Sequence, residues 1–101
     1  MSDIEETLKE RGARYGAFKD HAVIAQALRT VMWSAGNPIG ECWGKLAPDQ
    51  KQALETIADK IARILNGDPD YIDNWHDIIG YAKLVEDRLL ADVDKALKAA
   101  L

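Results

Sequence analysis

Two pairs of carboxylates, each spaced four residues apart, are the groups in this sequence best placed to do chemistry. Glu55 and Asp59 form the first pair, and Asp73 and Asp77 form the second. In a helix, residues at i and i+4 lie one turn apart on the same face, so each pair can direct its oxygen atoms at one point. Carboxylate oxygens are ligands that Mg2+ prefers. The spacing fits either a metal site or a solvated helix face, and the sequence alone leaves both open.

A structural explanation exists for most of these carboxylates. Asp59 lies one turn before Arg63, which would allow a surface ion pair. Asp73 falls in the first turn of a predicted helix, where the helix dipole favours a negative charge, and Asp77 could simply be solvated. Glu55 has no capping role. It is therefore the strongest single candidate for a ligand or catalytic group.

Helix-breaking and helix-capping residues predict four helices, which would position these side chains. The predicted helices run from Ser2 to about Gly12, from an N-cap at Asp20 to about Ser34, from Pro48 to Asn66 with Gly67 as the stop, and from an N-cap at Asp70 to Leu101. Between the second and third, residues 35–46 are predicted to form a long packed loop anchored by Trp33, Ile39 and Trp43. Tyr15 and Phe18 are predicted to close one end of the core.

Apolar residues at helical spacing predict which faces are buried. The predicted stripes are Val23, Ile24, Ala27, Leu28 and Val31 on the second helix, Leu54, Ile57, Ala58, Ile61, Ile64 and Leu65 on the third, and Trp75, Ile78, Ile79, Ala82, Val85 and Leu89 on the fourth. Gly80 interrupts the last helix on nearly the opposite face. A glycine there suggests close approach of another backbone or of a ligand.

The composition limits the classes of function. A chain of 101 residues is the size of one domain, and we predict a single helical domain over residues 1–101. Its net charge of −4 argues against sequence-independent nucleic-acid binding, which depends on Lys and Arg. The single cysteine, Cys42, cannot form an internal disulfide. There is no apolar run long enough for a membrane span and no secretory signal in the acidic N-terminus, so we expect a cytoplasmic protein.

Three stretches of the sequence resemble a family of small bacteriophage and prophage proteins whose function is unassigned. The stretches are Arg14–Phe18, Ala53–Asp68 and Asp73–Ala82, and the resemblance spans residues 11–90. That family is distantly similar to the all-α, MazG-like nucleoside triphosphate pyrophosphohydrolases. The resemblance implies an all-α fold, a four-helix, MazG-like helical bundle with a long C-terminal helix.

The same resemblance implies an activity, namely Mg-dependent conversion of a (d)NTP to a (d)NMP plus pyrophosphate. By analogy Glu55, Asp59, Asp73 and Asp77 would bind Mg2+, and Glu55 would be catalytic. Lys60 and Arg63 would contact the phosphates, and Tyr15, Trp75 or Tyr81 would stack on the base. The chain departs from the family pattern, because both pairs are spaced by four residues rather than three and Asp replaces Glu at three of the four positions.

The alternative is a non-catalytic phage accessory protein that binds a nucleotide, or that binds a host protein through the loop from Trp33 to Trp43. Either function would place the chain in the host cytoplasm if it is phage-encoded. The small core and the amphipathic tail after Glu86 also lead us to expect a homo-oligomer, a dimer or a tetramer. Loss of turnover in Glu55→Ala with an intact fold would distinguish the enzyme from the binding protein.

Overall fold

Residues 2–34 and 41–101 are described by a computed structural model, and within these ranges the chain forms helices joined by turns, with no strand. The helices are α1 (Ser2–Tyr15), α2 (Phe18–Ser34), α3 (Glu41–Gly44), α4 (Pro48–Asn66) and α5 (Ile72–Ala100). The all-α fold class is confirmed. The described ranges hold five helices, because part of the predicted loop, Glu41–Gly44, is helical. Residues 35–40 of that prediction, including Ile39, lie outside the described residues.

The ends of α4 agree with the sequence, whereas the other helix boundaries differ from the predicted ones. Pro48 is the first residue of α4, and the N–H of Ala47 donates to Gln50 Oε1 at 2.8 Å. Helix α1 continues three residues beyond Gly12. Helix α2 begins at Phe18, so Asp20 lies in its first turn rather than at its N-cap, and Tyr71 rather than Asp70 precedes α5.

Helix α4 is the centre of the fold, with α2 and α5 packed against it; α1 contacts both α4 and α2, and α3 contacts α2. The fully buried apolar residues are all small: Ala25 of α2 and Ala53, Ala58 and Ala62 of α4. Small side chains allow helix axes to approach closely. They also remove little apolar surface from water, so the core of a single chain is weak.

The buried faces of α2 and α5 differ from the predicted stripes. In α2, Val23 and Val31 are exposed, while Ala25 is buried. In α5, Trp75 and Ile79 of the predicted stripe are exposed. A different set of residues, spaced three and four apart, faces the core. It begins with Tyr71, just before α5, and continues along the helix with Asn74, Ile78, Tyr81, Val85 and Arg88.

Two ion pairs accompany this orientation of α5. Lys60 Nζ lies 2.9 Å from Asp77 Oδ2, and Arg88 contacts Asp49 through two hydrogen bonds of 2.7 and 2.9 Å. Both pairs join α5 to α4. The face of α5 that carries Asp77 and Arg88 meets α4, and Trp75 and Ile79 lie outside this contact.

The C-terminal part of α5 extends beyond the rest of the described chain. Arg88 meets Asp49 in the first turn of α4, so residues 89–100 project past the end of that helix by about 18 Å. The molecule is accordingly elongated, 61 × 31 × 26 Å. Over the described residues, every helix is too short or too polar to cross a bilayer.

Candidate functional site

The first carboxylate pair lies in the interface between α4 and α2, where it meets an arginine. Arg29 donates from Nη1 and Nη2 to the two oxygens of Asp59, at 3.2 and 2.9 Å. Arg29 Nε also lies 3.9 Å from Glu55 Oε1. The hydrogen bonds to Asp59 raise the pKa of the Arg29 guanidinium above its usual value. The partner of Asp59 is therefore Arg29 of α2, and the predicted pair with Arg63 is wrong.

His21 extends this cluster toward α1. Its Nε2 atom lies 3.8 Å from Asp59 Oδ1, and its Nδ1 atom is buried without a hydrogen-bond partner among the described residues. Burial lowers the pKa of His21, and the nearby Arg63 and Arg29 act in the same direction, while Asp59 opposes them. His21 is consequently a neutral, half-buried imidazole at pH 7.

The second carboxylate pair is divided between two partners. The Asp77 carboxylate accepts a hydrogen bond from the Lys60 ammonium group, and this bond is the main reason that the pKa of Asp77 is lowered. Asp73 accepts a hydrogen bond from the Tyr71 hydroxyl at 2.8 Å, which raises the pKa of Tyr71. The Tyr71 hydroxyl in turn accepts from Arg14. Each of the two aspartates thus has its own protein partner.

The four carboxylates do not come together in a single chain. Within residues 2–34 and 41–101 there is no group of three or more His, Cys, Asp or Glu side chains arranged to hold a metal ion. Glu55 and Asp59 remain adjacent on α4, but their common neighbour is a guanidinium. As the side chains stand, they do not form a coordination shell for Mg2+, which needs closely placed oxygen ligands.

A separate cleft of about 320 Å3 opens where α1, α2 and the end of α4 meet. Its lining is basic and aromatic: Leu8, Arg11, Gly12, Tyr15, Gly16, Ala17, Phe18, His21 and Arg63. The guanidinium carbons of Arg63 and Arg11 lie 4.5 and 5.1 Å from the centre of the Tyr15 ring. Such cation–π contacts hold a guanidinium in place while its N–H groups remain able to donate.

No acidic side chain lines the cleft among the described residues. Neither Arg11 nor Arg63 has a carboxylate within 4.0 Å in the part of the chain that the structure describes. Phe18 stands at the edge with 82% of its surface exposed, and its ring stacks on His21 with a centroid separation of 6.1 Å. The prediction that Phe18 closes the core is wrong, whereas Tyr15 is half-buried.

A tight turn between α1 and α2 shapes the cleft. Gly16 has φ +76°, a conformation that favours glycine. The Asn66 side chain at the end of α4 donates to the carbonyls of Tyr15 and Ala17, both at 2.9 Å. The N–H of Asp68 donates to Arg14 O at 2.7 Å. These bonds fix the end of α1 against α4 and hold Tyr15 beside Arg63.

The structure therefore separates the predicted substrate-binding residues. It brings Tyr15 and Arg63 together in the cleft, but Lys60 pairs with Asp77. Tyr81 lines a different, shallow groove on α5 with His76, Asp77, Gly80 and Leu84. Trp75 lies on the outer side of α5, where its indole N–H donates to Pro69 O at 2.8 Å. A Cβ added at Gly80 would meet nothing within 4 Å, so no other backbone of the described chain approaches this glycine.

Three residues at these sites escaped the sequence analysis: Arg11, His21 and Arg29. His21 and Arg29 lie four residues on either side of Ala25, the buried residue of α2. Polar side chains in register with a buried position could have been recognised by this spacing. Arg11 and Tyr15 also lie four residues apart on α1, so helical spacing could have indicated their contact, whereas the approach of Arg63 depends on the tertiary structure.

Comparison with protein-family models, with curated proteins and with solved structures found no match to this chain.

Proposed function

We propose that this protein binds a phosphorylated nucleoside in the cleft between α1, α2 and α4. The observation that carries the proposal is the pair of guanidiniums, Arg11 and Arg63, held over the Tyr15 ring without a carboxylate partner among the described residues. Arginine presents N–H groups in a fork that matches phosphate oxygens, and a pre-positioned side chain loses less entropy when the ligand binds.

The remaining lining suits the rest of a nucleotide. The Tyr15 ring already carries two guanidiniums, so an aromatic base would stack on the exposed ring of Phe18 instead. Neutral His21 can exchange a hydrogen bond with a sugar or phosphate oxygen through a ring nitrogen. The cleft volume is at the lower end of the usual range for small-molecule sites, which favours one nucleotide over a dinucleotide.

The binding experiment uses isothermal titration of the full chain with dATP, dAMP and inorganic tripolyphosphate. Arg63→Met keeps the apolar stem over Tyr15 but removes the donors, and we expect it to weaken dATP binding by at least about tenfold, the effect of a charge-assisted hydrogen bond to phosphate. Lys98→Met, an equal charge change on the distant end of α5, is the matched control and is expected to bind like the wild type. Absence of heat with all three ligands, or equal binding by Arg63→Met, would exclude this cleft.

A second candidate is the Mg-dependent hydrolysis of a (d)NTP to a (d)NMP and pyrophosphate, as in the MazG-like enzymes. Its specific support is that Asp59, one turn from Glu55 on α4, lies 3.8 Å from His21, which lines the cleft. Mg2+ would be held there by these two carboxylates in place of Arg29, and it would neutralise the charge of the triphosphate. This activity would therefore require the Arg29 guanidinium to move away from Asp59.

Turnover is tested by chromatography of a (d)NTP panel incubated with Mg2+ or with chelator. The enzymatic activity would be established by a monophosphate product that forms only with metal and does not form with Glu55→Ala. The variant must retain its helicity and its dATP binding. If dATP binds but no nucleotide of the panel gives a product, the function is nucleotide binding without catalysis.

A further inference from the structure

Helix α1 is attached to the rest of the described chain by its last turn. Residues 14–16 are half-buried, and the N–H of Asp68 and the side chain of Asn66 donate to carbonyls of this turn. Residues 3–13 are all exposed, and their side-chain hydrogen bonds and ion pair in the described chain stay within α1. We call residues 3–10 the α1 arm. This arm projects from the other helices without a polar contact to any of them in the described chain.

Gly12 lies between the α1 arm and the attached turn. A glycine inside a helix makes that helix less stable than alanine does, and a Cβ added here would meet no atom within 4 Å. The ion pair of Glu10 with Arg14 spans this position, but it is exposed and contributes little. Isolated helices shorter than about 12–15 residues are marginally stable in water. The arm is therefore the part of α1 that can change its orientation at small cost.

The apolar side of the α1 arm is the side that borders the cleft. Ile4, Leu8, Arg11 and Tyr15 recur at intervals of four, three and four, so they share one face of α1. On this face Leu8 lines the cleft together with Phe18, the first residue of α2. Leu8 is 61% exposed and Phe18 is 82% exposed. The cleft thus carries apolar side chains from two helices that both remain largely in contact with water.

A nucleotide base in the cleft would give Leu8 a surface to cover. One side of the Phe18 ring packs on His21, so a base would stack on the other side of that ring. The opposite face of the base would then remain in water. Movement of the α1 arm toward α2 would place Leu8 over this face, and removal of apolar surface from water would favour the movement. Few contacts of the arm within the described chain oppose it.

We propose that the α1 arm closes over a nucleotide bound in the cleft, with Leu8 covering the face of the base that Phe18 leaves open. This inference rests on the proposed function, because it concerns the same cleft and the same ligand. Binding then has two separable parts. Arg63 and Arg11, which are held at the Tyr15 ring, bind the phosphates without the arm, whereas the contact of Leu8 with the base requires its closure.

Closure is tested by hydrogen exchange of the full chain, followed by mass spectrometry with and without dATP at about a hundred times its Kd. We expect the amides of the α1 arm to exchange at least about tenfold more slowly with dATP, because packing suppresses local opening. Residues 91–100 are the internal control, since they form an equally exposed helix end outside the cleft and should exchange at an unchanged rate. If titration shows dATP binding while exchange of the arm is unchanged, closure is wrong and the proposed function stands.

The role of Leu8 is tested by titration of Leu8→Ala with dATP and with inorganic tripolyphosphate. We expect dATP to bind roughly fivefold more weakly, because alanine covers less of the base, and tripolyphosphate to bind as it does to the wild type. Leu84→Ala is the matched control, since Leu84 is an equally exposed leucine on α5, and it should bind dATP like the wild type. Equal dATP affinities of the two variants would overturn the proposal. If only tripolyphosphate binds to the wild type, closure over a base is also wrong, although the cleft binds phosphate.

Discussion

Arg29 and Asp59 form a two-point ion pair that ties α2 to α4 in the middle of the molecule, with N–O distances of 2.9 and 3.2 Å. The Arg29 side chain is 17% exposed and that of Asp59 is 36% exposed, so water screens the pair only in part. Glu55 adds a second negative charge at 3.9 Å. The interaction gives these carboxylates a role in holding helices together before any ligand is considered.

Asp59→Asn should reduce the free energy of unfolding by about 1–2 kcal/mol, the effect of losing a charged hydrogen bond after allowance for partial exposure. The loss leaves Arg29 with only the more distant Glu55. Urea denaturation followed by circular dichroism measures the change. Asp94→Asn removes an exposed pair with Lys98 on α5 and serves as the control, with an expected change below about 0.5 kcal/mol. Equal effects of the two substitutions would show that Arg29–Asp59 is not structural.

Gly16→Ala and Gly12→Ala should have opposite effects on stability. At Gly16, φ is +76° and an added Cβ would collide with the Asn66 carbonyl, so we expect destabilisation of about 2 kcal/mol or more. At Gly12, inside α1, a Cβ meets nothing, and alanine should stabilise the helix by up to about 1 kcal/mol. Thermal unfolding of both variants checks this prediction. A neutral Gly16→Ala would mean that the turn can adopt another conformation.

His21 should make stability depend on pH below 6.5, the ordinary pKa of a histidine side chain. Burial lowers the pKa of His21 in the folded chain, so between 6.5 and that lower pKa the unfolded chain binds a proton that the folded chain does not. Stability therefore falls as the pH drops through 6.5 and levels off below the folded-state pKa. Urea unfolding at pH 7.5 and pH 5.5 should show a smaller difference for His21→Gln than for the wild type.

Mg2+ without nucleotide should leave the melting temperature of the wild-type chain unchanged, because Arg29 and Lys60 already pair with Asp59 and Asp77. In Arg29→Met, Glu55 and Asp59 lose their shared cation, and Mg2+ should then raise the melting temperature. A ligand at a hundred times its Kd contributes about 2.7 kcal/mol, which thermal unfolding detects readily. An Mg2+-dependent rise in the wild type itself would show that the metal displaces the guanidinium.

The sequence was sufficient for the features that depend on local chemistry. The all-α class follows from helical periodicity, and the limits of α4 follow from Pro48 at its start and Gly67 after its end, where backbone constraints act within a few residues. By contrast, the boundaries at Asp20 and Asp70 were placed wrongly, because a side chain that can cap a helix does not have to do so. The helix at Glu41–Gly44 was missed among glycines that favoured a loop.

The sequence by itself determined that the chain is all-α, where α4 begins and ends, and that the carboxylates of each pair lie on one helix face. Only the tertiary structure decided what those faces meet. In the folded chain Asp77 pairs with Lys60 and Asp49 with Arg88, and Trp75 and Ile79 of the predicted apolar stripe lie outside the contact between α4 and α5. The tertiary structure likewise brings Arg63 of α4 to the Tyr15 ring, beside Arg11, which lies one turn earlier on α1. Periodicity shows which side chains share a helix face. Contacts with other helices decide how the helix is rotated, and the sequence of a single segment does not contain those contacts.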